Sequence, residues 1–424
     1  MTIAANDPTI RSWVKVNPES DFPIQNLPLG IFSREKEGTS VGVAIGDKIL
    51  DIRELASLGY LADLDIDNSV FSSQYLNRFI ALGQPVWRAF RDRISELLNN
   101  SNQELQSNEE HVKDVLVPSN EVTMHLPVRV GDYTDFYSSI EHATNVGTMF
   151  RDPENALLPN WKHIPVGYHG RASSIITSGV DIERPKGQTK ADDAEVPSFG
   201  PTRLLDFELE MAFILGKENK LGSPISTAEA EDHIFGMVLL NDWSARDIQK
   251  WEYVPLGPFL AKSFASSVSP WVVMMDSLQP FRVSGPVQDP PVLPYLQYEG
   301  DKNYDINLEV YIQPENSEPV RVCQSNFKYM YWNMCQQLAH QTINGCNVRI
   351  GDLYGSGTIS GSDKGSYGSM LELSWKGTNP IPMTDGSERK FIQDNDTVIM
   401  KGFAEKDGIR IGFGEVSTKV LPAR

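Results

Sequence analysis

Leu204-Leu205-Asp206-Phe207-Glu208-Leu209-Glu210-Met211-Ala212-Phe213-Ile214-Leu215 is an apolar run that holds two glutamates and ends at Gly216. Its large apolar residues and closing glycine read as a β-strand. Side chains alternate along a strand, so Glu208 and Glu210 share one face while Phe207, Leu209 and Met211 share the other. Like charges roughly 7 Å apart at the backbone repel each other. Each also costs free energy to bury unless something positive meets it. A hard cation with oxygen ligands is the natural partner. The competing reading is an edge strand with a solvated acidic face, an ordinary feature of antiparallel sheets.

A second run tips the balance. Gly236-Met237-Val238-Leu239-Leu240-Asn241-Asp242-Trp243 is an apolar strand with a carboxylate at its C-terminal end. A further acid, Asp135, stands upstream in Gly131-Asp132-Tyr133-Thr134-Asp135-Phe136-Tyr137. Asp135, Glu208, Glu210 and Asp242 are therefore expected to close into one oxygen cage. Such a cage suits Ca²⁺ or Mg²⁺, and no His/Cys cluster is spaced for zinc.

At 424 residues the chain exceeds one ordinary core, so two domains are expected. With 40% apolar and 22% charged residues, the composition is that of a soluble globular protein. The N-terminus carries no apolar leader, and no window approaches the ~20 apolar residues of a membrane span. The three cysteines are too few for a disulfide framework, which fits a reducing cytoplasm. The sequon Asn99-Asn100-Ser101 is then expected to stay unglycosylated. A net charge of −18 argues against nucleic acid and anionic membrane surfaces. It also poses a problem: an anionic substrate would be repelled unless local cations overcame the global field.

Val41-Gly42-Val43-Ala44-Ile45, Gly46-Asp47 and Lys48-Ile49-Leu50-Asp51-Ile52 read as a hairpin with a two-residue turn. Residues 84–99 read as an amphipathic helix, with Val86, Trp87, Phe90, Ile94, Leu97 and Leu98 on one stripe and Pro85 in its first turn. A small N-terminal domain is placed at residues 1–120, and a larger domain at 121–424. The latter reads as β-dominated, so the fold class is mostly β (α+β). Val398-Ile399-Met400-Lys401-Gly402-Phe403 and Ile409-Arg410-Ile411-Gly412-Phe413 flank another hairpin turn. Residues 280–294 read as a Pro-rich surface loop, and residues 327–341 as a helix ending at Asn344-Gly345.

His142, seven residues past Asp135, is a candidate general base, because neutral histidine suits proton transfer near neutral pH. Glu372, flanked by apolar residues, is a candidate to orient it. Arg246 and Gln249 follow Asp242 at helical spacing and are candidates to hold an oxyanion. Lys262 sits in an apolar context, unusual for lysine, and adds positive charge to an acidic centre. The stretch Gly355-Ser356-Gly357-Thr358-Ile359-Ser360-Gly361-Ser362 lacks the Gly-Lys-Ser/Thr ending of a phosphate loop and the Gly-x-Ser-x-Gly elbow of a hydrolase. A backbone-rich loop close to a small ligand remains.

Taken together these segments resemble the fumarylacetoacetase (fumarylacetoacetate hydrolase) family over nearly the whole chain. The resemblance is carried by residues 21–28, 131–139, Asn160-Trp161, 165–171, 241–249, 251–260 and 356–362. It implies an SH3-like N-terminal barrel and a larger mixed β-roll/sandwich domain that forms a homodimer. It implies a metal-dependent cleavage of the carbon–carbon bond of 4-fumarylacetoacetate to fumarate and acetoacetate, the last step of tyrosine and phenylalanine breakdown. By resemblance, Ca²⁺ is held at Asp135, Glu208, Glu210 and Asp242, and Mg²⁺ is associated with Asp242, Lys262 and Ser266. Substrate positions are Tyr137, Arg151, Tyr168, Gln249, Tyr253 and Thr358, and His142 matches the base. Ala265-Ser266 departs from the Gly-Thr common in the family, although the hydroxyl is kept. Two alternatives stand beside this reading. One is a superfamily hydratase or β-keto acid decarboxylase, and the other a calcium-stabilised binding protein, which would have no use for His142, Arg246 and Lys262.

Overall fold

The computed structural model describes residues 3–35 and 38–424. Strands β1 (Leu29–Ser33), β2 (Thr39–Ile45), β3 (Lys48–Asp51), β4 (Leu116–Pro118) and β5 (Thr123–His125) form an antiparallel sheet in the order β4-β3-β2-β1-β5. The first expected hairpin closes with Ile45 opposite Lys48, and Gly46 at φ +59° supplies its turn. This small antiparallel sheet is compatible with an SH3-like barrel. Helix α1 (Gln84–Leu98) buries Trp87, Phe90, Ile94, Leu97 and Leu98.

A second, eight-stranded sheet carries the site. It contains β6 (Tyr133–Phe136), β7 (Gly167–Gly170), β8 (Ile175–Thr177), β9 (Leu209–Leu215), β10 (Ile234–Asp242), β11 (Ser266–Val268) and β12 (Leu353–Gly355). Their order is β7-β6-β12-β9-β10-β11-β8, with Val273–Met274 also paired to β10. Every residue of β9 and β10 is buried. The reason is that both faces are covered. Ala212, Ile214, Val238 and Leu240 join the core of the N-terminal unit, where Trp87 meets Phe235 edge-on at 4.8 Å. Met211, Phe213, Met237 and Leu239 join a second core. That core is closed by a third sheet built from Asn307–Gln313, Val320–Asn326, Thr397–Lys406 and Ile409–Leu421 and edged by Ile182–Glu183. The second expected hairpin turns at Asp407-Gly408, with Lys406 opposite Ile409.

Two local expectations are corrected. The run 204–215 is not one strand: Leu205–Asp206 pairs with Ser244–Ala245, and β9 begins at Leu209. The break arises at Asp206, whose carboxylate accepts the N–H groups of Met370 and Leu371 and draws the chain toward them. Glu208 bridges to Ser369 in the gap. Helices α2 (Ile140–Phe150) and α3 (Arg246–Glu252) follow the ends of β6 and β10. The helix expected over 327–341 is confined to α4 (Met334–Thr342). Phe327–Tyr329 forms a single 3₁₀ turn, and Tyr331 N–H then bonds the Ser138 carbonyl, which keeps the chain extended. Asn333 and Gln336 form a capping box that starts α4 afresh. Among the described residues no helix is long and apolar enough to cross a membrane.

Candidate active site

The sheet register assembles the acids. Asp135 pairs with Gly355, Gly355 with Ala212, Glu210 with Leu240, and Asp242 with Ser266. One ligand oxygen from each of Asp135, Glu208, Glu210 and Asp242 lies within 4.8 Å of the others, and all four residues are buried. The solvated acidic face is thereby excluded. Lys262 Nζ donates to Glu208 and, at 2.6 Å, to Asp242 Oδ2. Ser266 Oγ donates to Asp242 Oδ1 at 2.7 Å, and Tyr168 OH to Oδ2 at 3.1 Å. Arg246, at the start of α3, reaches Glu208 Oε1 at 2.7 Å and Asp206 Oδ2 at 2.8 Å.

Five buried carboxylates thus face two cations. Burial alone would push the Glu208 carboxyl up, but Lys262 and Arg246 hold it below its usual value. Among the described residues Asp135 and Glu210 make no ion pair, and the charge of Lys262 only partly offsets what raises them. Burial and then the charge of Asp242 push Asp135 well above the carboxylate range, while burial and then Asp135 do the same to Glu210. Among the described residues Asp135 Oδ1 and Glu210 Oε1 are buried without a hydrogen-bond partner. Gly355 leaves them their space, since a Cβ there would lie 2.7 Å from Asp135 Oδ1 and 2.9 Å from Glu210 Oε2. Unpartnered hard oxygens, excess negative charge and a glycine-made recess fit a divalent cation.

The other half of the centre is a base and its support. Ser139 caps α2 by accepting the N–H of His142. His142 Nδ1 lies 2.7 Å from Glu372 Oε2. Glu372 sits in the short helix α5 (Met370–Leu373) and is wholly buried. It also accepts Asn145 Nδ2 at 2.9 Å, Ser360 Oγ at 3.0 Å and Ser369 Oγ at 2.8 Å. Burial would raise this carboxyl, but His142 and these hydrogen bonds hold it below its usual value. An ionised Glu372 assigns the proton to Nδ1 of a neutral His142 and leaves Nε2 as the basic atom. The Tyr137 ring stands edge-on to His142 at 5.2 Å.

The structure brings together most of the residues singled out from sequence. Gln249 lies one turn along α3, with its Oε1 3.3 Å from Arg246 Nη1. Thr358 is buried in the Gly/Ser-rich stretch, which also supplies Ser360 to Glu372 and the Gly357 N–H to Glu210 at 3.0 Å. Arg151 and Tyr253 lie further out. The Arg151 guanidinium bonds the Ala156 carbonyl at 2.6 Å, and Tyr253 is 53% exposed at the end of α3. Sequence reasoning missed Asp206, Asn145, Ser360 and Ser369. Only Asp206 left a signal, standing two residues before Glu208 in the same apolar run.

Comparison with known proteins now places the chain. The family model described as "Fumarylacetoacetase N-terminal" matches residues 25–127, and "Fumarylacetoacetate (FAA) hydrolase C-terminal" matches 133–421. The chain belongs to the fumarylacetoacetase family. A fumarylacetoacetase of Caenorhabditis elegans is 57% identical over 418 residues, covering 98% of this chain and 100% of that protein. The Homo sapiens fumarylacetoacetase is 56% identical, covering 97% and 99%. Among solved structures, a fumarylacetoacetate hydrolase from Exiguobacterium antarcticum superposes with TM-score 0.52 at 17% identity, covering 94% of this chain and 100% of that one. A maleylpyruvate hydrolase from Sphingobium, solved with manganese(II) and pyruvate, gives 0.50 at 15%, again covering 94% and 100%. At these identities the structural likenesses bear on the fold alone.

Proposed function

We propose that this protein hydrolyses the carbon–carbon bond of 4-fumarylacetoacetate to fumarate and acetoacetate, the last step of tyrosine and phenylalanine catabolism. The observation that carries the reading is the His142–Glu372 pair facing a buried four-carboxylate cluster, in a chain 57% identical to a fumarylacetoacetase over nearly its whole length. Once protonated, His142 favours the charged form of Glu208, so the two halves act on one small space.

His142 Nε2 takes a proton from water, and Glu372 holds the imidazolium that results. The hydroxide attacks the carbonyl on the fumaryl side. Arg246, Gln249 and Lys262 donate hydrogen bonds to the oxyanion. As the carbonyl reforms, the carbon–carbon bond breaks and its electron pair leaves with the acetoacetate half. A 1,3-diketone makes this feasible, because the leaving carbanion is delocalised as an enolate, which takes back the proton held on His142 and leaves the imidazole neutral again. Ca²⁺ fits Asp135, Glu208, Glu210 and Asp242, and Mg²⁺ the side of Asp242, Lys262 and Ser266. Lys262 Nζ donates to Glu208 and Asp242 on that side. A bound dication supplies Lewis-acid charge for an enolate oxygen.

Tyr137, Arg151, Tyr168, Gln249, Tyr253 and Thr358 are assigned to substrate binding, with Arg151 at the outer end for a terminal carboxylate. The division into residues 1–120 and 121–424 belongs to the same reading, with its boundary moved past His125 because β5 (Thr123–His125) pairs with β1 of the first unit. So do a cytoplasmic location and a homodimer. Trp251, Val254, Leu256 and Phe259 form an exposed apolar stretch that a second copy would cover.

The test is the loss of near-ultraviolet absorbance of 4-fumarylacetoacetate, with and without a chelator. Chelator-sensitive loss with fumarate and acetoacetate as products is expected. No loss in metal-replete buffer would overturn the proposal and point to another substrate or to a binding protein.

A further inference from the structure

The reaction proposed above needs a doubly negative substrate to approach a chain of net charge −18. One surface cleft runs against that field. It has a volume of about 860 Å³, and its charged lining consists of Arg184, Arg203, Lys376 and Lys390 against Glu388 and Asp394. Asp394 is already paired with Arg184 at 2.5 Å, and Arg184 also donates to the carbonyls of Thr202 and Ile392. Arg203 and Lys390 are exposed, and among the described residues neither makes an ion pair. The cleft therefore carries unneutralised positive charge.

Its walls are continuations of the catalytic elements. The Leu204 carbonyl accepts the N–H of Arg246, and Arg203 N–H donates to Asp247 at 2.9 Å, so one wall is tied to α3. Lys376 lies four residues after Glu372. Its ammonium donates to the Met149 carbonyl at 3.1 Å and stands 4.6 Å from the Phe150 ring, at the end of the helix that begins beside His142. The other wall is thus tied to α2 and α5. The cleft thus lies beside the end of α2, where the Met149 carbonyl stands two residues before Arg151, and against the segment that leads into α3.

We propose that this cleft is an anion-collecting entrance, which concentrates a dicarboxylate substrate at the mouth of the centre without touching the reacting atoms. The inference rests on the proposed hydrolysis of a dianion. Fields focused by a charged cleft raise association rates about 10- to 1,000-fold and fade with salt.

The experiment measures kcat and KM for 4-fumarylacetoacetate across ionic strength in the full-length, metal-loaded protein and in Arg203→Glu/Lys390→Glu. The control is Lys15→Glu/Lys113→Glu, an equal charge change on exposed residues of the N-terminal unit. The expected result is a roughly tenfold fall in kcat/KM at low salt for the cleft variant, with kcat within about twofold. The difference should close at high salt, and the control should match the unsubstituted protein. The milder Arg203→Gln/Lys390→Gln should fall between, which separates charge from misfolding. Unchanged kcat/KM and salt dependence in a folded cleft variant would overturn the inference, as would an equal fall in the control. No turnover by the unsubstituted protein would instead overturn the proposed reaction, and this inference with it.

Discussion

Glu372 accepts four donors in a place where burial alone would raise its pKa: His142, Asn145, Ser360 and Ser369. A carboxyl held below its usual value stays charged across the neutral range. Its stabilising contribution is full above the ordinary carboxylate pKa and is lost as pH falls through its own depressed value. Glu372→Gln keeps the shape and removes the charge that orients His142. Turnover is expected to fall about 100- to 10,000-fold, read from kcat in steady state with the fold checked by circular dichroism. Asn145→Ala removes one donor, so the acid limb of the kcat profile should move to higher pH. Lys262→Met is expected to lose turnover more than calcium affinity. Calcium titration beside kinetics checks this, and unchanged turnover would remove Lys262 from the mechanism. The residue types of the centre were legible because acids and lysine are rare in apolar runs. Asn145, Ser360 and Ser369 were not, since short polar side chains in loops look alike whether they face water or a buried carboxylate.

At the scale of elements, hairpins and amphipathic periodicity read true because turn chemistry and local pattern determine them. Strand order did not, because β6 lies beside β12 although the two are far apart in sequence, and no local pattern encodes such a pairing. The helix start at Met334 was misplaced because apolar spacing continues through Phe327, Met330 and Tyr331, while the Asn333–Gln336 cap overrides it. Gly355 shows what strand pairing does for chemistry. Gly355→Ala should place a methyl against Asp135 and Glu210, so divalent-cation affinity is expected to fall about 10- to 100-fold, measured by calorimetry. The turn into β12 makes a pH prediction. Asp352 accepts the N–H groups of Asp132 and Arg349, while burial pushes its carboxyl up to about 6. A folded pKa above the unfolded one means stability is greater at low pH and is lost as pH rises through about 6. Asp352→Asn removes that dependence. Its deficit relative to the unsubstituted protein should therefore be larger at about pH 4.5 than at about pH 7 by denaturant titration.

Across the whole molecule, β9 and β10 are shared property, with one face in the core of the N-terminal unit and the other in the catalytic core. Trp87 and Phe235 close the first of these seams. Trp87→Ala is expected to cost about 3–5 kcal/mol, seen as a lower denaturation midpoint, while kcat per folded molecule stays near normal. Inside a cell the same substitution would show itself differently. Quality-control proteases act on the unfolded fraction, so a few kcal/mol lost at the seam lowers how many copies survive rather than how fast each one works. Inherited or engineered defects far from His142 would then present as scarcity of an intact catalyst. Compounds that occupy the centre, and so stabilise the folded chain, would restore abundance by mass action.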